Sequence, residues 1–133
     1  MQIVEYHPDH AKRIRVQQNQ SRIQARLIEN AEEIGKYGVT VSWIDGDEVL
    51  GCAGMIQSDP PVAWAILAEM GPRRFLKVHR HLLRILNARN EHCLMHVDEG
   101  FTNGHRWAGL LGFKRNKTLE KGRDIRCYER HKK

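Results

Sequence analysis

The apolar and polar positions of this chain change period several times, which predicts a mixture of strands and helices. Residues 39–43 alternate between apolar and polar side chains, as in a half-buried strand. Asp45-Gly46 is a hairpin-turn signal, and Val49–Ile56 follows as the partner strand. Gly51 and Gly54 within that strand indicate a bulge or a close approach of another backbone.

The sharpest change of period lies between Val62 and Leu86. The apolar run Val62–Leu67 predicts a buried strand, and Gly71-Pro72 marks a turn. A helix over Arg73–Leu86 follows, with an apolar face formed by Phe75, His79, Leu82, Leu83 and Leu86. Its second face is basic, and we call this segment the basic helix. The basic face consists of Arg73, Lys77, Arg80 and Arg84.

The remaining segments complete the order βααβββαβαββ. We predict strands over residues 2–6, 91–98, 113–119 and 124–130, and helices from Pro8, over 21–35 and over 105–111. A strand that follows a crossover helix lies parallel to the strand before it, so the strands flanking the basic helix are expected to be parallel. The prediction is an α/β (α+β) fold with a mixed, mostly antiparallel sheet, in one domain over residues 1–133.

Composition narrows the protein class only slightly. No stretch approaches the roughly 20 apolar residues of a membrane span, and the first residues do not resemble a signal peptide. Three widely spaced cysteines favour reduced thiols over a disulfide framework or a zinc site. We therefore expect a cytoplasmic protein with no membrane partner.

Charge points to a polyanionic partner without identifying it. Lysine and arginine number 22 against 16 acidic residues, a net charge of +6. This attracts nucleic acid, an acidic protein or a phosphorylated cofactor alike. A strand that leads into a helix N-terminus beside Arg73 and Arg74 predicts an anion site, although an ordinary solvated basic face explains the same residues. The basic residues on the predicted C-terminal hairpin have two interpretations: they contact nucleic acid, or they protect an exposed sheet edge.

The histidine spacing does not predict a metal site. His92 and His96 lie four residues apart. On a strand that spacing separates them by roughly 13 Å, too far for one ion. We therefore expect no metal.

The element order and one short motif carry a family resemblance. Trp107 followed by Leu111-Gly112-Phe113 resembles the last helix of the GNAT superfamily, the acyl-CoA-dependent N-acetyltransferases. Ala63-Trp64-Ala65 and Gly104-His105-Arg106-Trp107 resemble, more narrowly, small GNAT-fold proteins of tailed phages. Some of that group carry acetyltransferase labels, and others are associated with virion assembly.

The resemblance implies where acetyl-CoA would bind. In the family the parallel fourth and fifth strands splay apart, and the cofactor lies in the gap. The implied cofactor-binding positions are Leu67, Ala68, Met70, Gly71, Arg73, Arg74 and Lys77. The family loop offers several small residues as N–H donors, whereas this chain has one glycine there and Pro72, which has no N–H. Phosphate binding would therefore depend on the three basic side chains as charges.

The resemblance also implies candidate catalytic groups. Acetyl transfer needs proximity and a base for the amine. Glu69 and His96 are the implied bases, with Asp98 as a further candidate. Each also has an ordinary structural interpretation. Glu69 would be a carboxylate at the start of a helix, His96 a hydrogen-bonded histidine of a strand, and Asp98 a residue that forms a turn. Ala108 occupies the position where the family often has a tyrosine, and this absence favours a narrowed gap.

Two functions follow from the resemblance. The first is a phage-type N-acetyltransferase that acts on an unknown small-molecule or protein amine in the host cytoplasm. The alternative is a catalytically silent GNAT-fold protein that binds a phage or host protein, in virion assembly or host interaction. Nucleic-acid binding through the basic surface is a third, less favoured function.

Overall fold

The computed structural model describes residues 1–15, Ala25, Glu29 and residues 40–133. The strands are β1 (Gln2–Glu5), β2 (Thr40–Asp45), β3 (Glu48–Ile56), β4 (Val62–Leu67), β5 (Cys93–Asp98), β6 (Lys114–Arg115) and β7 (Ile125–Arg130). The helices described by their bounds are α1 (Pro8–Arg13), α2 (Pro72–Arg89), which is the basic helix, and α3 (Thr102–Leu110). The helix predicted over 21–35 lies outside the described residues except for Ala25 and Glu29, which are helical.

The seven strands of the described residues belong to one mixed sheet in the order β1-β2-β3-β4-β5-β7-β6. The N–H of Leu94 donates to the carbonyl of Pro61 at 2.9 Å, so β4 and β5 begin side by side and run parallel. The pairs β1–β2, β2–β3, β5–β7 and β6–β7 are antiparallel. The predicted α/β fold is confirmed, while the splaying of β4 and β5 stays a prediction. No helix in the described part of the chain is long and apolar enough to cross a membrane.

Contacts divide the chain into two compact units, which are described separately below. The first unit comprises Met1–Gln57 and Ala63–Met70, and the second comprises Ser58–Val62 and Gly71–Lys133. The single domain expected over 1–133 therefore stays a prediction.

Close backbone approach shapes the sheet of the first unit. A Cβ added at Gly51 would lie 2.5 Å from Leu67 Cδ2, and one added at Gly54 would lie 2.8 Å from the Trp64 ring. The predicted close approach of another backbone is confirmed at Gly51, where an added Cβ would lie 2.9 Å from the Ile66 carbonyl oxygen, whereas at Gly54 the nearest atoms belong to side chains. The hairpin between β2 and β3 is confirmed too, with Gly46 at a φ of +61° in its turn.

The half-buried interpretation of β2 is wrong, because Ser42 is as fully buried as Trp43. The Ser42 hydroxyl lies 2.8 Å from His10 Nδ1 and 3.3 Å from Cys52 Sγ. Hydrogen bonding allows this polar side chain to occupy a core position. The alternation of apolar and polar residues therefore did not predict which side chains of β2 are buried.

In the second unit, the basic helix runs from Pro72 to Arg89, so it begins one residue before the predicted start and ends three residues after the predicted end. Its buried residues are Val78, Leu82 and Leu86, and the predicted apolar face lacked Val78. Phe75 and His79 are only partly buried. Trp107 Nε1–H of α3 donates to His79 Nδ1 at 3.0 Å, and the Phe75 ring lies 5.9 Å from the Trp107 ring. This aromatic group joins the first half of the basic helix to α3.

Two other boundaries in the second unit differ from the prediction. α3 begins at Thr102, three residues before the predicted start, because Gly104 belongs to its first turn and packs on Phe101 and Val97. The strand predicted over 113–119 shortens to Lys114–Arg115 and gives way to a 3-10 turn. Asn116 causes the change, since its side-chain oxygen accepts the N–H of Thr118 at 3.1 Å.

A buried arginine of β7 connects the ends of both helices in this unit. Arg130 is 4% exposed, and its Nε donates to the carbonyl of Leu111 at 2.9 Å. Its two terminal nitrogens donate to the Leu86 carbonyl and to Asn87 Oδ1. Gly112 has a φ of +90°, and an added Cβ would lie 3.3 Å from Arg130 Nε. Glycine at 112 therefore provides both the backbone conformation and room for the guanidinium.

We expect Arg130→Met to destabilise the protein by about 1–3 kcal/mol, the cost of leaving the buried Leu111 carbonyl without a partner, because the Leu86 carbonyl keeps the N–H of Asn90. Methionine retains much of the side-chain length but donates no hydrogen bond. Arg126→Met on the same strand is the control. Arg126 makes ion pairs with the exposed Glu99 and with Glu120, which keeps its ion pair with Arg115 in the variant, so the loss of Arg126 should cost within about 1 kcal/mol. Urea unfolding measures both variants, and equal losses would contradict this role for Arg130.

We also expect acid to weaken the contact between His79 and Trp107. Desolvation by burial lowers the pKa of His79 from 6.5, and its Nδ1 can accept the indole N–H only when unprotonated. The unfolded chain therefore takes up this proton first as the pH falls through about 6.5, and the free energy of unfolding decreases. In His79→Gln the side-chain oxygen can accept the same hydrogen bond without titrating. Urea midpoints between pH 7.5 and 5.5 should fall less in that variant, and an unchanged slope would contradict the assignment.

Candidate functional site

The start of the basic helix exposes positive charge that its own sequence does not neutralise. The N-cap residue is Gly71, which has no side chain to cap the helix, and no acidic residue lies in the first turn. The carbonyl of Gly71 accepts the N–H of Phe75 at 3.1 Å, which begins the helical hydrogen bonding. The first-turn N–H groups of a helix have no partner within it, and the positive end of its dipole lies there. This terminus therefore suits an anion.

Three residues predicted to bind phosphate lie near this terminus in the helix. Arg73, Arg74 and Lys77 are all exposed within the first two turns. A Cβ added at Gly71 would meet nothing within 4 Å, and its φ of −68° is open to any residue. Neither packing nor conformation thus requires glycine at 71, and its small size leaves room for a ligand to approach the backbone. The structure brings these four predicted residues together.

The other three predicted cofactor-binding residues lie at the end of β4, in the first unit. Leu67 and Ala68 are buried and Met70 is half-buried. The N–H of Ala68 donates to the Leu50 carbonyl at 2.8 Å, and that of Glu69 donates to the Arg15 carbonyl at 3.2 Å. These two amides are already paired, so a pantetheine could bond to Ala68 only through its carbonyl. Cofactor binding at these positions stays a prediction.

The two predicted catalytic residues are both exposed. Glu69 presents its carboxylate to solvent in the first unit. His96 lies on β5 in the second unit, directly opposite Cys127 of β7. Partial desolvation, with a smaller effect of the Lys121 charge, lowers the pKa of His96. Its imidazole is therefore neutral at pH 7 and able to accept a proton. Asp98 ends the same strand and is half-buried. The catalytic roles stay predictions.

Ala108, at the expected tyrosine position, is fully buried in α3 and offers no hydroxyl.

Tyr128 of β7 carries a hydroxyl that the sequence analysis did not identify as a candidate. It donates to His105 Nδ1 at 2.7 Å, while His105 Nε2–H donates to the Glu99 carbonyl at 2.8 Å. His105 of α3 and Tyr128 of β7 are 23 residues apart, and the packing of α3 against the sheet brings them together. No local sequence signal could have identified this pair.

Two further groups carry reactive side chains. The Cys52 thiol is fully buried, and desolvation raises its pKa to about 12, so it is not a nucleophile.

Among the described residues, His92, Glu129 and His131 form a group that could hold a metal ion. One ligand atom from each lies within 4.8 Å of the other two. The sequence spacing of His92 and His96 had indicated no such site.

Comparisons with known proteins concern the fold. No protein-family model matches this chain, and no curated protein matches it. An acetyltransferase from Streptococcus agalactiae superposes with a TM-score of 0.71 at 17% identity, over 98% of this chain and 97% of the other. A GNAT-family acetyltransferase from Staphylococcus aureus gives 0.69 at 18% identity, over 99% of each chain. An aminoglycoside 6′-acetyltransferase type Ii gives 0.68 at 18% identity, over 98% of this chain and 97% of the other. The chain therefore has the fold of GNAT acetyltransferases.

Proposed function

We propose that this protein is an acyl-CoA-dependent N-acetyltransferase that moves the acetyl group of acetyl-CoA to an amine. The observation that carries the proposal is the start of the basic helix, where Arg73, Arg74 and Lys77 are exposed beside an uncapped N-terminus. The family resemblance assigns the cofactor pyrophosphate to this position. Structures with the same fold include acetyltransferases, which supports the reaction class.

In this proposal phosphate binding depends on side-chain charge more than on backbone amides. Pro72 removes one N–H from the loop, and Gly71 is its only glycine. Each arginine can form a bidentate hydrogen bond to phosphate, while Lys77 acts as a point charge. Affinity for the cofactor should consequently fall as salt rises, because exposed charges are screened.

The proposed reaction forms a bond between the amine nitrogen and the acyl carbon and breaks the bond between that carbon and sulfur. His96, neutral at pH 7, takes the amine proton, and Glu69 is the alternative base. Ala108 offers no proton to the departing thiolate, which leaves as an anion and takes its proton from solvent. Holding amine and thioester together supplies much of the acceleration.

The proposed acceptor is a small-molecule or protein amine. The phage-type placement, in the host cytoplasm or in association with a virion, is part of this proposal and rests on the Ala63-Trp64-Ala65 and Gly104-His105-Arg106-Trp107 segments. The single loop glycine and the missing hydroxyl at 108 favour one second candidate, a GNAT-fold protein without catalysis that binds a phage or host protein.

Calorimetry with acetyl-CoA tests the proposed cofactor site. We expect Arg73→Glu to weaken binding by about 1.5–3 kcal/mol, the worth of a hydrogen bond to a charged group. Arg84→Glu is the matched control, since Arg84 is also exposed on the basic helix but lies three turns from its start. It should weaken binding far less. Undetectable binding at millimolar cofactor, or equal effects of both variants, would contradict the proposal.

Release of CoA thiol in the presence of a panel of small amines and lysine peptides tests the chemistry. A positioned general base contributes about 10²–10⁴-fold. We therefore expect His96→Gln to lower kcat by at least about 10²-fold and to remove the acid limb of the pH–rate profile. Glu69→Gln should leave that limb in place. Cofactor binding without thiol release for any amine would favour the silent alternative.

A further inference from the structure

We propose that His92, Glu129 and His131 form a binding site for a divalent transition-metal ion, with Zn²⁺ as its natural probe. The site lies in the second unit, where β5 and β7 pair. It does not depend on the proposed acetyl transfer.

Strand register explains why these three residues meet. Cys93 pairs with Arg130 and Leu94 with Glu129, so continuing the antiparallel register by one step places His92 opposite His131. Glu129 is two residues before His131, so both point to the same face of the sheet. The two imidazole rings stack with centroids 5.0 Å apart and planes 3° from parallel.

The three ligand atoms already converge. His92 Nε2 lies 2.6 Å from Glu129 Oε2, and His131 Nε2 lies 3.1 Å from Glu129 Oε1. A tetrahedral ion bound at 2.0–2.2 Å sets its ligand atoms roughly 3.3 Å apart. The two histidine side chains are 42% and 69% exposed, so small ring rotations can provide that spacing.

Neighbouring contacts hold the three residues in place. Asn116 Nδ2 donates to Glu129 Oε1 at 3.1 Å and orients the carboxylate. Asn90 exchanges two hydrogen bonds with the backbone of Lys133, at 2.9 and 3.3 Å. The chain on both sides of the site is thus anchored, because Asn90 is two residues before His92 and Lys133 is two after His131. Second-neighbour support of this kind is typical of metal sites.

The donor set identifies the class of ion. Two imidazole nitrogens and one carboxylate suit Zn²⁺ and related first-row metals, whereas Mg²⁺ and Ca²⁺ prefer oxygen ligands alone. Three protein ligands leave a fourth position for water or for a group from another molecule. The site would therefore hold an exchangeable ion at the surface.

A calorimetric titration of the metal-free protein with Zn²⁺ tests the site. We expect saturation at one ion per chain, and a loss of affinity greater than about 100-fold in His92→Ala, Glu129→Gln and His131→Ala. Asn116→Ala should lose about 10-fold, as for a residue that orients a ligand. His96→Ala is the matched control and should bind normally, since His96 is exposed on β5 and lies four residues, roughly 13 Å of extended chain, after His92, which directly precedes that strand.

Co²⁺ provides a second readout, because a tetrahedral site gives strong visible absorption that each ligand variant should abolish. Circular dichroism verifies that the variants are folded, and the exposure of both histidines makes this the expected result. Equal Zn²⁺ affinity in His92→Ala and His96→Ala would overturn the proposal, as would the lack of saturable binding below millimolar metal.

Discussion

The guanidinium of Arg130 is the contact on which the second unit depends most. A positive charge with 4% exposure is costly unless it is well bonded, and its partners here are two main-chain carbonyls and one side-chain amide oxygen. The Leu86 carbonyl belongs to the last turn of the basic helix, where the helix dipole is negative. The Leu111 carbonyl directly follows α3. One side chain of β7 therefore donates to a carbonyl at the end of each helix.

This arrangement gives a physical reason for the Leu-Gly-Phe motif. Leu111 and Phe113 are buried, whereas Gly112 turns the backbone at a positive φ and leaves space for Arg130. With its C-terminal end held there and its first half held by the Trp107–His79 hydrogen bond, the basic helix is fixed at both ends to its own unit. Its first two turns can then present the exposed Arg73, Arg74 and Lys77. Structural and candidate binding roles are separated along one helix.

The sequence predicted the order of elements because Gly, Pro and changes of hydrophobic period mark their boundaries. β4 was predicted to the residue, and the basic helix was predicted with its start near Pro72. Ser42 and Gly104 were misread, because a buried hydroxyl with partners and a glycine packed inside a helix turn have no local signature. The pairs His105–Tyr128 and His92–His131 were missed for another reason. Strand register creates the His92–His131 pair, and the packing of α3 against the sheet creates the His105–Tyr128 pair; both are properties of two distant segments.

The central claim is that the start of the basic helix holds the phosphates of CoA. Amide chemical shifts of the ¹⁵N-labelled protein, recorded during titration with CoA and separately with pantetheine, test it most directly. We predict that CoA shifts the amides of Gly71, Arg73, Arg74 and Lys77 strongly, and that pantetheine, which has no phosphate, leaves these four unchanged. Shifts confined to other parts of the chain, or equal shifts with both compounds, would contradict the claim.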